Sequence, residues 1–204
     1  MVLDMFSGFG GTLLALSALG ARFIAVHMES DKTAAMAAAG VFPHAVHVPD
    51  VMLFDPQSLV QVLEKRDFSA ILVGGGASCQ GNCSLNVNRK GLGDQRTLDA
   101  QIIPKVAADV AKLPVVQRKG ISVVQFLENV AGAPSSVIAW YTQIMGCDPV
   151  LIDAARFGWV CRRRLWWGKV ITADDNNSIA VAKDLQMPPG VTSHSRRKHP
   201  RCFP

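Results

Sequence analysis

The sequence AILVGGGASCQG, at residues 70–81, decides the fold of this chain. Its first four residues are apolar, as in a buried strand, and three glycines follow them. Cys79 then stands among small and polar residues. We predict a strand at residues 70–73, a glycine turn and a thiol at the carboxyl edge of a sheet, where open α/β sheets bind ligands. A buried cysteine in a structural turn explains this segment alone equally well.

Apolar segments and helical patterns alternate on both sides of this stretch. The alternation predicts a doubly wound, mostly parallel sheet in a Rossmann-like α/β fold. The last two strands flank residues 153–164 and are compatible with a hairpin. The predicted strands cover residues 2–6, 23–28, 45–48, 70–73, 121–127, 150–152 and 165–170, and the predicted helices cover residues 12–19, 31–39, 58–65, 98–113 and 134–145.

Length and composition indicate a single intracellular domain. We place this domain at residues 1–171 and a loosely ordered basic tail at residues 172–204. No signal peptide and no membrane-spanning run is recognisable. Five cysteines without a C-x-x-C pair argue against a disulfide framework and favour a reducing compartment. Cys79 and Cys83 are four residues apart, but no second pair of ligands follows them, so no metal is predicted.

Basic residues are clustered, on a chain whose formal net charge is +5. One cluster, Arg162 to Arg164, lies between Trp159 and the pair Trp166-Trp167, and a second lies at residues 194–201. Basic clusters favour polyanions such as nucleic acid. A solvated basic tail explains the second cluster equally well.

The turn after the first predicted strand has the character of a nucleotide site. Its sequence, SGFGG at residues 7–11, lets a backbone approach a ligand at a helix N-terminus. Glu29 ends the second predicted strand, where a carboxylate meets ribose hydroxyls in such folds, and Asp50 ends the third. Each carboxylate alone is more simply a helix cap. Together they favour an adenosine-containing cofactor, and no lysine follows the glycines as in a triphosphate-binding loop.

The fourth and fifth predicted strands carry the reactive groups. Cys79 follows one and Glu128-Asn129 follows the other, so a thiol and a carboxyl group are expected to face one another. A carboxyl group in a partly buried pocket can keep its proton or share it with a substrate. The loop at residues 82–99 contains three cationic side chains, and cations beside a thiol favour the nucleophilic thiolate.

These segments, in this order, resemble the motifs of the cytosine C5-methyltransferase family over roughly residues 1–170. LDMFSGFGG at residues 3–11 resembles its first cofactor motif, and Glu29 and Asp50 stand at the positions of the second and third. GGASCQG at residues 75–81 resembles its catalytic motif. Further matching positions are Ser84, Asn86, Gly91, Asp94 and Arg96 in the mobile loop, residues 126–130 in the Glu-Asn-Val motif, and Phe157-Gly158 with Arg162 to Arg164 in the arginine motif.

A narrower likeness is to the de novo DNA methyltransferase branch. It rests on residues 89–92 and on residues 149–154 running into Trp167-Gly168. The chain departs from the family pattern at Ser78, where proline is usual, and at Val160, where glutamine is usual. Ser30 replaces an aromatic residue, and residues 172–204 are expected to be at most the start of a target-recognition region, without the family's final motifs.

The resemblance implies that S-adenosylmethionine donates a methyl group to C5 of cytosine in DNA through a covalent cysteine adduct. The implied catalytic residues are Cys79, Glu128, Asn129, Arg162 and Arg164. The implied cofactor-binding residues are Asp4, Phe6, Ser7, Gly8, Gly10, Gly11, Glu29, Asp50 and Gly75. The implied nucleic-acid-binding residues are Gln80, Ser84, Arg89, Lys90 and Arg96.

Alternatives remain open at the level of substrate and competence. RNA, in particular transfer RNA, is a second possible substrate, and a catalytically incompetent paralogue that binds a partner is a third reading. A nicotinamide oxidoreductase fits the glycine turn but gives Cys79 and Glu128 no role. The expected location is the nucleus in a eukaryote or the cytoplasm in a bacterium, and a partner subunit is a candidate source of the missing C-terminal motifs.

Overall fold

A seven-stranded sheet forms the centre of the fold, with the strand order β3-β2-β1-β4-β5-β7-β6. The computed structural model describes residues 1–156 and 160–171, so the predicted basic tail lies outside the described residues. Strands β1 to β5 are parallel, and β7 is antiparallel to both of its neighbours. The predicted doubly wound, mostly parallel sheet is confirmed. The strands are β1 Val2–Met5, β2 Ala25–Met28, β3 Val46–Val48, β4 Ala70–Gly76, β5 Ser122–Val130, β6 Val150–Asp153 and β7 Arg163–Ile171.

Helices cover both faces of this sheet. Val2 packs against Leu13 of the first helix, whereas the next residue, Leu3, belongs to the main core with Ile103 of the fifth. Neighbouring residues of a strand point to opposite faces, so these two helices lie on opposite sides. The helices are α1 Gly11–Ala18, α2 Lys32–Val41, α3 Val60–Lys65, α4 Gln95–Leu98, α5 Ile102–Ala111, α6 Pro114–Lys119 and α7 Ser135–Met145.

The predicted helix at residues 98–113 differs from the structure. A 3-10 turn at Asp99–Gln101 separates α4 from α5, and α6 was not predicted. Pro104 is the third residue of α5, where its missing N–H group costs no intrahelical hydrogen bond. Helix α6 begins at Pro114 and ends before Gly120, which has the left-handed conformation typical of a residue that ends a helix.

Strand β4 was predicted to end before the glycines. In the structure it continues through them to Gly76. A Cβ atom on Gly74 would lie 2.0 Å from the carbonyl oxygen of Phe126, and one on Gly75 would lie 1.6 Å from that of Met5. The neighbouring strands therefore approach β4 too closely for any side chain, and glycine serves as a strand residue here. Glu128 and Asn129 likewise lie within β5 and do not follow it.

The final two strands form the hairpin that the sequence suggested. Asp153 pairs in register with Arg163, and their side chains form an ion pair at 3.3 Å. Trp167 of β7 is fully buried, and its indole N–H group donates to Thr142 of α7 at 3.0 Å. These contacts fix β7 between β5 and β6.

The described part of the chain also bears on membranes, metals and thiols. No helix there is long and apolar enough to cross a bilayer, and no three acidic, histidine or cysteine groups are placed to hold a metal ion. Cys79, Cys83 and Cys147 are free thiols.

Candidate active site

A cleft of about 460 Å³ lies at the carboxyl edge of β1, β4 and β5. Cavities of this size hold cofactors and drug-sized ligands. Residues from both predicted groups line this one cleft. The cofactor-binding group contributes Asp4, Phe6, Ser7 and Gly11, the catalytic group contributes Glu128, Arg162 and Arg164, and the remaining lining residues are Thr12, Gly76, Phe126, Ile152, Ala154 and Trp166.

Glycines and aromatic rings shape the part of the cleft over β4, β5 and β7. Gly76 is in register with Glu128, which is in register with Trp166, so the three positions lie on one face of the sheet. A Cβ atom on Gly76 would lie 2.8 Å from the Glu128 carboxylate. The rings of Phe126 and Trp166 stack with centroids 6.3 Å apart. The absence of a side chain at Gly76 therefore leaves the space that the carboxyl group of Glu128 occupies.

Glu128 and Arg164 form a close ion pair in the cleft. The Nε atom of Arg164 lies 2.6 Å from Oε1 of Glu128, and each side chain is 19% exposed. Burial raises the pKa of Glu128 above its usual value, although Arg164 and Arg162 act in the opposite direction. Arg162 is held through its backbone, because its N–H group donates to Asp153 at 3.1 Å. The pair thus presents a carboxyl group that holds a proton more readily than an ordinary glutamate.

Asn129 connects β5 to the segment that carries the predicted nucleophile. Its amide group donates to the carbonyl oxygen of Ala77 at 3.0 Å, and its side-chain oxygen accepts from the N–H group of Val130. Cys79, two residues after Ala77, is half-buried and packs against the core. The hydroxyl of Ser78, which replaces the family's proline, accepts from the N–H group of Gln80 at 3.5 Å. The cysteine segment is therefore tied to the strand that carries Glu128.

The predicted nucleic-acid-binding residues all belong to one exposed loop, residues 80–96. Two of its cations are held by protein groups, since Arg89 donates to the carbonyl of Gly132 at 3.0 Å and Arg96 pairs with Asp94 at 2.7 Å and with the side chain of Gln80. Lys90 lines an open groove of about 360 Å³ with Asn86, Asn88, Gly93, Asp94, Gln95 and Arg96, and Ser84 lies beside Gly132.

Two apolar side chains stand out at the tip of this loop. Leu85 is 84% exposed and Val87 is 92% exposed, and each is next to asparagine.

The glycine turn at residues 7–11 is fixed by the strand beside it. The N–H group of Gly8 donates to the Glu29 carboxylate at 2.7 Å, and the hydroxyl of Ser7 donates to the carbonyl of Met28 at 2.9 Å. A Cβ atom on Gly10, which has φ +82°, would lie 3.1 Å from the ring of Phe42. The turn is therefore preorganised before any ligand enters.

The other predicted cofactor residues lie at the same edge. Phe6 has a positive φ of 53°, unusual for a residue with a side chain, at the point where the chain leaves β1. Gly75 sits against Met5. The Asp50 carboxylate accepts from the N–H group of Met52 at 2.9 Å and so caps a 3-10 turn. The role of Asp50 in binding an adenosine-containing cofactor stays a prediction.

Asp4 is a buried carboxylate at the base of the cleft. Among the residues that the structure describes, neither of its oxygens makes a hydrogen bond of good geometry. Burial raises the pKa of Asp4 to about 7, with Thr12 acting to lower it and Glu29 to raise it. A cationic group bound in the cleft would satisfy this carboxylate, which is a property expected of a site for a cofactor with an ammonium and a sulfonium group.

Two histidines occupy the positions in register with Asp4 on the neighbouring strands. Asp4 is in register with His27 of β2, and His27 is in register with His47 of β3. The two imidazole rings are 5.0 Å apart, and His27 is fully buried, which lowers its pKa. His27 was not among the predicted site residues, although its position in an apolar strand two residues before Glu29 was a signal.

Several residues that line the cleft were not predicted. Trp166 is two residues after Arg164 on one strand, so strand periodicity places it on the same face of the sheet, and Thr12 follows the glycine turn directly. Ile152 and Ala154 reach the cleft through the hairpin, which only the strand pairing reveals. Phe157 and Gly158 of the arginine motif lie outside the described residues.

Comparison with known proteins defines the class of fold. No family model matches this chain, and no curated protein matches it either. Solved structures of methyltransferases do match, and this chain shares their fold. The resemblance to DNA methyltransferases is confirmed at the level of the fold.

Three of the solved structures illustrate the likeness. One is a DNA modification methyltransferase encoded within a prophage (E. coli), with 23% identity, a TM-score of 0.57, and coverage of 84% of this chain and 46% of that one. A second is S. pombe Dnmt2 methyltransferase, with 18% identity, a TM-score of 0.52, and coverage of 84% and 49%. The third is a mutant of Spodoptera frugiperda DNMT2, with 17% identity, a TM-score of 0.54, and coverage of 97% and 53%.

The chain spans about half the length of these proteins. The structural similarity shows a shared architecture. The substrate and the chemistry depend on the residues of the site. These comparisons give no support to the predicted partner subunit.

Proposed function

We propose that this chain transfers a methyl group from S-adenosylmethionine to C5 of cytosine in DNA, with Cys79 as the nucleophile. The observation that supports this function is the Glu128–Arg164 pair, which shares one cleft with the glycine turn and is linked through Asn129 to the segment of Cys79. That arrangement supplies a thiol, a proton-holding carboxyl group and a cofactor site at the carboxyl edge of one sheet.

The cofactor part of the proposal rests on the turn at residues 7–11 and on Asp4. When bound, S-adenosylmethionine supplies an activated methyl group. Asp4 would offer a buried carboxylate to a cationic part of the cofactor, and the preorganised turn would admit it close to the backbone. Glu29 already joins the turn to the end of β2, where ribose hydroxyls bind in such folds.

The proposed catalytic steps use Glu128, which lines the cleft, and Cys79, which does not line it in this structure. A cytosine that has left its stack enters the cleft, and the Cys79 thiolate forms a bond to C6. Glu128 holds a proton at N3, so the electron pair released by this addition collects on C5. C5 would then carry the methyl group that bound S-adenosylmethionine supplies, with S-adenosylhomocysteine as the leaving group. Loss of the C5 proton to solvent would then break the C6–S bond and restore the aromatic base and the thiolate.

Arg164 and Asn129 have supporting roles in this scheme. Arg164 keeps the Glu128 carboxyl group oriented at 2.6 Å and moderates its raised pKa, so that the proton can be both held and released. Asn129 fixes the backbone two residues before the thiol. Arg162 projects from a backbone held by Asp153 and is placed to contact the base or a phosphate.

The loop at residues 80–96 is the proposed nucleic-acid contact. It presents Lys90, Arg89 and Arg96 beside the exposed Leu85 and Val87. Cations contact phosphates, while apolar side chains can insert between bases and favour the extrusion of one of them.

The central test is methyl transfer from tritium-labelled S-adenosylmethionine to duplex DNA. We expect Cys79→Ser to reduce incorporation by about a thousandfold or more, because a poorly nucleophilic hydroxyl replaces the attacking thiolate. Cys83→Ser, which removes a thiol four residues away in the same loop, is the matched control and should retain most of the activity. Undiminished transfer by Cys79→Ser would exclude Cys79 as the nucleophile.

The same assay separates the alternatives. RNA is compared with DNA as the acceptor, since the cleft would accept a flipped cytosine from either polymer. Binding of nucleic acid and cofactor by a wild-type protein that transfers no methyl group would instead identify a binding protein.

A further inference from the structure

A closed ring of buried hydrogen bonds lies beneath the cysteine loop. The side-chain amide of Asn82 donates to the Tyr141 hydroxyl at 3.0 Å, and the Thr97 hydroxyl donates to the Asn82 side-chain oxygen at 2.9 Å. The Tyr141 hydroxyl donates in turn to the Thr97 carbonyl at 3.5 Å. All three side chains are fully buried, so the ring joins the loop to α4 and α7 without access to water.

Asn82 also belongs to the turn that contains the nucleophile. Its N–H group donates to the carbonyl of Cys79 at 2.9 Å, and the N–H group of Cys83 donates to the same carbonyl at 2.8 Å. The carbonyl of Asn82 accepts from Arg89 at 3.5 Å. One residue therefore connects the backbone of the thiol segment to two helices and to the far side of the loop.

The base of the loop is closely packed at this point. The N–H group of Gly91 donates to the carbonyl of Gly81 at 2.9 Å, which brings the two ends of the loop together. A Cβ atom on Gly81 would lie 2.7 Å from the Cβ atom of Asp94 and 2.8 Å from the Thr97 hydroxyl. There is consequently no room for the turn to shift toward α4 while the ring is closed.

We propose that Asn82, Thr97 and Tyr141 are positioning residues that hold the Cys79 turn against α4 and α7 and so fix the orientation of the thiol. The inference rests on the proposed function of Cys79 as nucleophile, but the placement of the thiol can be measured without methyl transfer. Burial raises the pKa of Tyr141 to about 12, so its hydroxyl keeps its proton and stays in the ring throughout the neutral range.

The free-energy cost of breaking this ring favours a positioning role over simple packing. A buried amide whose partner is removed loses its hydrogen bond and remains without water, and the structure relieves this cost by opening locally. The segment that opens here is the one that carries Cys79, because Asn82 is in its turn. The thiol is then more exposed and less well aimed.

The test compares two substitutions of Thr97 with a control on α7. Thr97→Val removes the hydroxyl with little change of shape, Thr97→Ser retains it, and Thr142→Val removes the partner of the Trp167 indole one residue after Tyr141. The control thus loses a hydrogen bond of similar length on the same helix without touching the loop. Tyr141→Phe is a second way of opening the ring.

The first readout is the rate at which iodoacetamide alkylates Cys79, localised by tandem mass spectrometry at a temperature well below unfolding. We expect Thr97→Val and Tyr141→Phe to raise this rate by about tenfold, as the loss of one buried hydrogen bond shifts the local opening equilibrium. Thr97→Ser and Thr142→Val should match the wild type. An unchanged rate in Thr97→Val, or an equal increase in Thr142→Val, would overturn the proposal.

The second readout is kinetic. Thr97→Val should lower kcat by about tenfold and leave the KM for S-adenosylmethionine within about twofold, because the cofactor turn is not part of the ring. A wild-type protein without methyl transfer would contradict the proposed function, while the alkylation rates would still decide whether the ring positions Cys79.

Discussion

At the scale of single residues, Asp4 carries a carboxyl group that its surroundings keep near the midpoint of titration at neutral pH. Burial raises its pKa from 3.8 to about 7, and no described residue gives its oxygens a hydrogen bond of good geometry. The resemblance to the first cofactor motif implied Asp4 as a cofactor residue. It could not predict burial, which depends on the helices that cover β1.

We predict that Asp4 makes the protein less stable as the pH rises. A carboxyl group whose folded pKa exceeds its unfolded pKa stabilises the fold at low pH and loses this contribution as the pH rises through about 7. Between pH 5 and pH 8 the free energy of unfolding of the wild type should fall by about 2 to 4 kcal/mol relative to Asp4→Asn. Urea denaturation of both proteins at the two pH values measures this difference.

The opposite outcome would contradict the prediction for Asp4. Parallel pH dependence in Asp4→Asn and the wild type would mean that the carboxyl group is hydrated or paired in solution. Addition of S-adenosylmethionine should reduce the effect, since a bound cation favours the charged carboxylate.

At the scale of secondary-structure elements, β4 shows that a run of glycines can belong either to a turn or to a strand. Three glycines after an apolar run predict a turn, because glycine is the residue that turns require. In the structure Gly74 and Gly75 are strand residues that let β1 and β5 approach. The distinction rests on the neighbours of the strand, which the local sequence does not contain.

Substitution of Gly75 tests this explanation. A Cβ atom there would lie 1.6 Å from the carbonyl oxygen of Met5, so Gly75→Ala should cost about 3 kcal/mol or more of stability. Gly40→Ala is the matched control, because a Cβ atom added at this position of α2 would have no neighbour within 4 Å. It should gain about 0.5 to 1 kcal/mol from the higher helix propensity of alanine. Thermal unfolding of both variants measures these changes in stability. Equal stability of Gly75→Ala and Gly40→Ala would contradict the explanation.

Helix α6 illustrates a limit of periodicity. It has six residues, with Pro114 at its start and Gly120 after its end, so both boundary signals are present in the sequence. Six residues contain fewer than two turns, and the apolar spacing of one helical face does not emerge over so short a segment. The boundary residues therefore carry the signal for this helix, which was not predicted.

At the scale of the whole molecule, the effect of the net charge of +5 on binding depends on the positions of the cationic side chains. The resemblance to ordered motifs predicted seven of the residues that line the cleft, although Glu128 lies within β5 and Arg164 lies in the antiparallel β7. Pairings that join distant segments, such as Trp166 with Phe126 or Asn82 with Tyr141, had no local signal. The sequence therefore predicted Glu128 and the arginines of the cleft but not the contacts that hold them, and the catalytic roles of these residues stay predictions.

Nucleic-acid binding should show the contribution of one cation of the loop. Lys90→Ala should weaken binding to duplex DNA and reduce the slope of log K against log salt by about one, as expected for one phosphate contact. Lys112→Ala, which removes an exposed lysine after α5, should leave the slope unchanged. A salt titration by fluorescence anisotropy measures both, and equal slopes for Lys90→Ala and the wild type would remove Lys90 from the interface.

The position of β7 has a consequence for synthesis on the ribosome. The strand lies between β5 and β6 yet follows both of them in the chain, so β5 presents an unpaired edge until residues 163–171 emerge. An unpaired edge strand is a template for association with other chains. The nascent chain therefore passes through a period of exposure to aggregation that ends when Trp167 docks against α7. Slow translation upstream of this strand should lengthen that period and lower the yield of folded protein.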